Sequence, residues 1–438
     1  VSDHELPPPP TDDDAPFGVV DRSLPKRRTE KQQQAQDERE LVALLDKLDK
    51  TKDGNVKATP GNATTILAGD SRWQGVLGYD KRSENAVLLK PMPLDDQAPH
   101  LLQVPRSLID GDDWRVSQWF GYRWGLNIHP NVVHGALNAV AEQNPFDRVR
   151  EYLESLQWDG KRRIATWLND YMGVRRTDYA DAVGRRFLIG CVARALQPGC
   201  KLDTVLILEG EQGLKKSTAI RTLAGADYFG DNIPPLASKD AQQYLGGLWV
   251  VELAEWTKAE TNNLKRFITT QRDRYRPPYG KRMIEHERAC AFMATLNPVG
   301  GYLNDPTGAR RFWPVEVVDP IDLEALAAAR DQLWAEAVRC FRAGDPWHFD
   351  RAEELELGIT EEQAKRQEED VWEKKVREYL LKNATSNKIE TADVLTFGIG
   401  MDVKDQNIGH SRRVGGILRS LGWDYVGGGT DGRYWKRK

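Results

Sequence analysis

Lys216 and Ser217 sit where a strand-like run gives way to a helix-like one, and such a junction can hold a phosphate chain. The stretch Thr204–Thr218 reads TVLILEGEQGLKKST. Val205–Leu208 is apolar and β-branched, too short for a helix and typical of a buried parallel strand. Gly210, Glu211, Gln212, Gly213, Leu214 and Lys215 form the turn; Lys216, Ser217 and Thr218 open a helical pattern that Gly225 closes. In such a loop, backbone N–H groups and the positive end of the helix converge on phosphate oxygens. Lys216 would neutralise the β- and γ-phosphates of ATP, and the Ser217 hydroxyl would ligate Mg²⁺. One residue departs from G-x-x-x-x-G-K-[ST]: Lys215 stands where the second glycine belongs. The loop accommodates it only if the backbone there is not held in a conformation reserved for glycine. On the loop alone, a plain strand-to-helix turn with an incidental base competes with nucleotide binding.

The downstream residues supply the remaining chemistry. Leu248-Trp249-Val250-Val251-Glu252 is an apolar run ending in a carboxylate, with Glu255 just beyond. A nucleotide hydrolase places its metal-orienting and water-activating acids at such a point, with Glu252 as the metal-side candidate. Two ordinary glutamates at a helix start are the weaker reading. A third apolar run, Cys290–Leu296, ends in Asn297, whose side chain can reach a γ-phosphate and its attacking water. In GARRFWPV (Gly308–Val315), Arg310 and Arg311 occupy a glycine turn ahead of another strand. An isolated Arg-Arg is usually solvated; here it lies where one subunit could offer an arginine finger to a neighbour's nucleotide. RDRYRPPYGKR (Arg272–Arg282) carries Arg274, Arg276, Tyr279, Lys281 and Arg282 around Pro277-Pro278 and Gly280. That is hairpin chemistry, with residue types that grip a phosphate backbone and stack on bases.

The elements that must position these groups belong to a chain of 438 residues, 40% hydrophobic and 29% charged, which suits several packed domains with a solvated surface. No apolar run approaches the roughly 18 residues of a membrane span. The four cysteines (Cys191, Cys200, Cys290, Cys340) form no C-x-x-C pair and the seven histidines are scattered. A zinc site or disulfide framework is not expected, and a reducing cytoplasm is. With a net charge of −4, nucleic-acid binding must come from local patches.

Residues 1–62 read as a disordered linker with a short helix over Glu38–Asp49: they carry Pro7–Pro10, Asp12–Asp14 and Gln32–Gln34, too little apolar surface to offset ordering entropy. The chain begins at Val1, so either an initiator Met is gone or this is the C-terminal portion of a longer protein. Residues 63–195 form a mostly helical module, with Trp73, Val76, Leu77 and Tyr79 as an apolar anchor and helical spacing over Val149–Leu156 and Ile164–Tyr171. Its pairs Arg175-Arg176 and Arg185-Arg186 suit solvated helix faces better than a DNA-facing surface. The core spans 196–345 and a helical linker 346–384. Residues 385–438 read as helix, helix and two-stranded wing, with Arg412, Arg413 and Arg419 on the basic second helix. That order is winged-helix-like, a module that docks either DNA or protein.

Several motifs in order resemble the virulence-associated protein E (VapE) family of phages and mobile islands, akin to superfamily 3 helicases: AVGRRFLIGCVARALQPGCKLD (Ala182–Asp203), LEGEQGLKKST, VVELAEW, DRYRPPYGK and GARRFWPV. The resemblance implies an α/β fold: an AAA+ type P-loop ATPase core with a helical N-terminal module, working as a ring, a hexamer. It assigns Lys216 and Ser217 to the phosphate loop, Glu252 and Glu255 to the acidic motif, Asn297 to the sensor, and Arg310 or Arg311 to the finger. Tyr279–Arg282 fall where such enzymes carry a DNA-gripping hairpin.

The function expected from these residues is an ATP- and Mg²⁺-dependent DNA helicase, single-stranded DNA passing through a homo-oligomeric ring, in replication of a mobile element. By analogy with fused replication proteins, a primase-polymerase module would lie upstream. A DNA-binding initiator or loader without processive unwinding, or a regulatory protein docking a host replication factor, are the alternatives. Single-strand stimulation of ATP hydrolysis with strand displacement separates the first from the others.

Overall fold

The computed structural model describes residues 39–94, 99–254, 261–276, 283–297, 303, 309–366, 371–384, 386–429 and 432–437. The chain is a mixed α/β protein that divides into two compact units. The first comprises residues 1–297 and 308–361, the second 298–307 and 362–438.

The first unit holds two apolar cores. The N-terminal core gathers Ile66 and Leu67 of the helix Pro60–Gly69, Val116, Trp119 and Phe120 of Asp110–Trp124, and Val133, Leu137 and Val140 of Pro130–Ala141. These helices pack with a small sheet: β1 (Leu77–Asp80), β2 (Asn85–Leu88), β3 (Arg106–Ser107) and β4 (Pro145–Phe146), in the order β3-β2-β1-β4. The helix expected at 38–49 runs over 39–45 among the described residues, and residues 46–62 are not a free linker. Leu48 is buried in this core, Val56 packs against it, and the Asn62 side chain exchanges hydrogen bonds with the Asp49 backbone, 2.9 Å each way.

The second core surrounds a parallel sheet: β5 (Val205–Glu209), β6 (Phe229–Gly230), β7 (Val250–Ala254), β10 (Ala291–Leu296) and β11 (Phe312–Glu316). Between β7 and β10 in the chain, β8 (Arg272–Tyr275) and β9 (Ile284–Glu287) form a separate antiparallel pair. The parallel strands lie in the order β11-β5-β10-β7-β6, so β5 is an interior strand flanked by β11 and β10, and it is buried along all five residues, as a strand covered on both faces must be. The helix Asp178–Leu196 starts on the Thr177 cap and is buried on nearly every side, sharing the core with Leu206, Leu208, Met293 and Val315. Two buried indoles are satisfied by carbonyls: Trp249 Nε1 donates to Cys191 O and Trp334 Nε1 to Leu223 O, both 3.0 Å.

Residues 346–361, expected to begin a linker, belong to this core: Trp347 and Phe349 pack on it and Ile359 is buried in it. Arg185 and Arg186, expected on solvated faces, reach this segment instead. Arg185 pairs with Asp345; Arg186, 9% exposed, bonds Glu353 and Pro346 O and lies 5.2 Å above the Phe349 ring. Such half-buried pairs fix the return of the chain rather than meet a ligand.

In the second unit, β12 (Lys388–Ile389), β13 (Trp423–Gly429) and β14 (Gly432–Arg437) form an antiparallel sheet in the order β12-β14-β13. It packs with the helix Ile408–Ser420 and a helical segment at 391–399 around Trp423 and Trp435, whose Nε1 donates to Thr391 Oγ1 at 2.9 Å. Val376 of the helix Glu373–Lys382 is buried in the same core, which makes that stretch part of the unit. No helix among the described residues is long and apolar enough to cross a membrane.

Candidate nucleotide site

The strand order brings the ends of β5, β10 and β7 side by side, and their C-terminal edge is where open parallel sheets bind ligands. The chain leaves β5 through Gly210 and Gly213 and enters the helix Lys216–Ala224. Gly210 can carry no side chain: a Cβ there would stand 2.7 Å from Val317 O. Lys215 has φ 62° and ψ 28°, the left-handed conformation that the loop pattern normally gives to glycine. That region is disfavoured for an L-residue by about 1–2 kcal/mol but open to it, which is how the departure from the motif is accommodated.

Lys216 is 7% exposed, and its ammonium group donates to Gly210 O (2.6 Å), Glu211 O (2.8 Å) and Asn297 Oδ1 (3.0 Å). Burial lowers its pKa, with Glu252 acting in the opposite sense. Ser217 Oγ donates to Glu252 Oε1 at 2.7 Å. Glu252, 1% exposed, lies within β7 rather than at its end, because the strand continues through Leu253 and Ala254. Lys216 and Ser217 of the loop helix, Glu252 of β7 and Asn297 just past β10 therefore meet at one edge of the sheet. Glu255 lies outside the described residues.

Arg310 and Arg311 occupy a short helical turn just before β11. Phe312 pairs with Val205 and Glu316 with Glu209, so the arginines stand at the start of β5 and the loop at its end. Five strand residues put roughly 15 Å between the two. Arg310 is exposed, whereas the Arg311 side chain is 21% exposed and its Nε faces Asp203 Oδ2 at 3.7 Å.

The β8–β9 pair is the stem of the expected hairpin. One side is self-neutralised: Arg272 pairs with Glu287 (3.1 Å) and Arg274 with Glu285 (3.8 Å). Arg274, expected to meet DNA, is exposed and has Glu285 beside it. Arg276, exposed at the end of β8, offers its carbonyl to Gln243 Nε2 at 3.1 Å. Tyr279, Lys281 and Arg282 lie outside the described residues.

Residues 153–369 match the description of the virulence-associated protein E-like domain. The chain carries a VapE-like domain. Its range takes in the loop, Glu252, Asn297, Arg310 and Arg311, and the hairpin stem. No curated protein matches the chain. Two solved apo structures of the NrS-1 C-terminal region align with it at 14% and 12% identity, covering 82% of this chain and 95% and 96% of theirs, with TM-scores of 0.44 and 0.43. Likeness at that level carries no functional weight.

The VapE-like domain also contains a site residue that the sequence pattern did not single out. Thr295 Oγ1 donates to Glu252 Oε1 at 2.5 Å, so one carboxylate oxygen takes two hydroxyls. Its signal was there, a polar residue inside the otherwise apolar run of β10. Outside the VapE-like domain, Arg412 is exposed, while Arg413 lies 4.2 Å above the Trp372 ring and Arg419 5.2 Å above Trp435. The last two are engaged in holding the second unit together.

Proposed function

We propose that the chain is an ATP-dependent, ring-forming DNA helicase of a phage or mobile element, built on an AAA+ type core akin to superfamily 3. The observation that carries the reading is the convergence of Lys216, Ser217, Glu252 and Asn297 at one edge of the parallel sheet. The strand order, with β10 inserted between the loop strand and the acidic strand, is the arrangement such a core requires. The helix pair and antiparallel sheet of the second unit suit a winged-helix-like module.

In this reading the loop amides and Lys216 hold the phosphates, and Asn297 orients the γ-phosphate and the attacking water. Ser217 and Glu252 present oxygens 2.7 Å apart, a donor set that suits Mg²⁺, an ion that keeps water and phosphate oxygens in its shell. When bound, Mg²⁺ would neutralise charge on the transferring phosphoryl group. Lys216 must turn from the two loop carbonyls to the phosphates, so ATP replaces hydrogen bonds that the loop makes with itself. Arg310 is the finger, being exposed and too far from its own loop to act there; Arg311, held toward Asp203, supports the turn. Glu255 or Glu252 takes the proton of the water, and Lys281 and Arg282 grip single-stranded DNA. A primase-polymerase is the proposed partner.

The test is strand displacement on a forked duplex with ATP and Mg²⁺, beside ATP hydrolysis with and without single-stranded DNA. Hydrolysis with displacement is expected. DNA-dependent hydrolysis without displacement would leave the initiator or loader reading, and no hydrolysis would remove the motor.

A further inference from the structure

The hairpin stem packs against the helix Lys239–Tyr244 and meets the turn between two strands of the N-terminal core's sheet. A two-stranded antiparallel pair is at best marginally stable alone, so what it rests on sets its position. With its outer side closed by cross-strand ion pairs, the stem turns Asp273 and Tyr275 inward, both buried, with Ile284 and His286 half-buried beside them. Buried Arg288 locks the base by pairing with Asp273 and lies 4.6 Å above the Phe267 ring.

The turn between β1 and β2 meets this inner side. Glu84 Oε1 lies 2.9 Å from His286 Nδ1, with the two side chains 26% and 12% exposed. Burial and the nearby Glu84 carboxylate push the Tyr275 hydroxyl up to about 12. Glu84 has φ 54°, a left-handed conformation that a non-glycine residue keeps only where its surroundings hold it. They do: Asp80 accepts from Arg82 N at 3.0 Å and from Ser83 Oγ at 2.7 Å, shaping the turn.

Two residues earlier, Arg82 is buried. Its guanidinium donates to Asp147 at 3.2–3.3 Å and, through Nη1, to Ala289 O at 3.0 Å, in the segment leading from β9 to β10. Its own carbonyl accepts from Gly247 N at 3.0 Å, just before β7. Asp147 in turn caps the helix Arg148–Ser155. The turn therefore touches the hairpin, the hairpin's exit toward the sensor strand, and the entry to the acidic strand.

We infer that Asp80–Glu84 is a positioning element: Glu84, through His286, seats the hairpin stem, and Arg82 ties that seat to β7 and β10, coupling events at the nucleotide edge to the hairpin. The inference rests on the proposed function for its consequence, since a coupled hairpin matters only to a motor, but the contact itself does not.

The test uses the full chain with Glu84→Ala and the milder Glu84→Gln, read by amide hydrogen exchange and by ATP hydrolysis. Glu84→Ala should speed exchange at 272–275 and 284–287 about ten-fold while leaving β5 and β10 unchanged, as local opening requires. Single-strand stimulation of hydrolysis should fall several-fold, with unstimulated kcat and KM for ATP kept. The exchanged pair Glu84→His with His286→Glu should restore hairpin protection and stimulation. Unchanged hairpin exchange in Glu84→Ala overturns the inference. So does faster exchange across the whole first unit in both variants, or failure of the exchanged pair to restore protection, since these mark general packing rather than positioning. A wild-type chain that DNA does not stimulate would count against the motor, while hairpin exchange would still decide the seat.

Discussion

Ser217 Oγ donates a 2.7 Å hydrogen bond to Glu252 Oε1, joining the first turn of the loop helix to a strand two places away from β5 in the sheet. Thr295 donates to the same oxygen. Glu252→Gln should therefore fold, because an amide oxygen can still accept both hydroxyls. It should lose hydrolysis by roughly 10²-fold or more, since an amide neither carries the charge a metal shell needs nor takes a proton. Steady-state turnover beside a thermal melt checks this. A folded variant with full activity would take the carboxylate out of the mechanism.

Neighbouring lysines should behave oppositely. If the chain hydrolyses ATP as proposed, Lys216→Ala removes the cation that would stabilise the transferring phosphoryl group, so turnover should be abolished while the fold persists. Lys215→Gly relieves the left-handed backbone at φ 62°, partly offset by the greater freedom of glycine in the unfolded chain, and should raise stability by up to about 1 kcal/mol with activity retained. Denaturant unfolding and ATP hydrolysis on the two variants measure both. If Lys215 proves the essential one, the phosphate-binding register is shifted by a residue.

The N-terminal core has an acid-sensitive lock. Burial pushes the Asp112 carboxyl upward, but hydrogen bonds from Arg106 and Ile109 N and the charges of Arg106 and Arg115 outweigh it, holding the group below its ordinary 3.8. A lowered pKa means that the stabilisation is present above the unfolded value and lost as pH falls through the folded one. Asp112→Asn, which leaves Arg106 without its partner at 2.7 Å, should destabilise this core by about 3 kcal/mol near neutral pH and flatten its stability below pH 4. Urea midpoints at several pH values provide the check; parallel wild-type and variant profiles would show that the pair does nothing specific.

What could be read in advance was what is local. The strand, the glycines and Lys216-Ser217 lie within fifteen consecutive residues, so a candidate phosphate loop could be read there, with a plain turn competing until the downstream motifs were added. Asn297 was legible because a polar residue closes an apolar run. The partners of Arg185 and Arg186 were not, because Asp345 and Glu353 are 160 and 167 residues away and only the return of the chain brings them close. Glu252 was expected at a strand end because the apolar run stops there; sheet pairing carries β7 two residues further, as Thr295 opposite Ala254 requires. The cross-strand partners of Arg272 and Arg274 were hidden for a related reason: the charge of a hairpin depends on register, which composition does not give.

The arrangement of β5 and β11 leads to the sharpest test of assembly. Arg310 precedes β11 at the start of β5, while Lys216 follows the end of β5, so the strand itself separates them. If Arg310 acts on a nucleotide, that nucleotide sits on another subunit. Arg310→Ala should then lower turnover roughly 10³-fold or more, the usual loss for an arginine finger, with ATP binding to the loop preserved. On the proposed ring, Arg310→Ala and Lys216→Ala chains should each be inactive, but a mixed ring would contain interfaces where an intact loop meets an intact arginine. Mixing the two should restore part of the wild-type turnover, greatest near equal amounts and absent when the subunits are kept from exchanging. Arg311→Ala, whose side chain is turned toward Asp203, should cost less turnover and should complement neither variant better than wild type does. Turnover that stays at the single-variant level across all mixing ratios would mean that each site is complete within one chain, and Arg310 would then have no part in it.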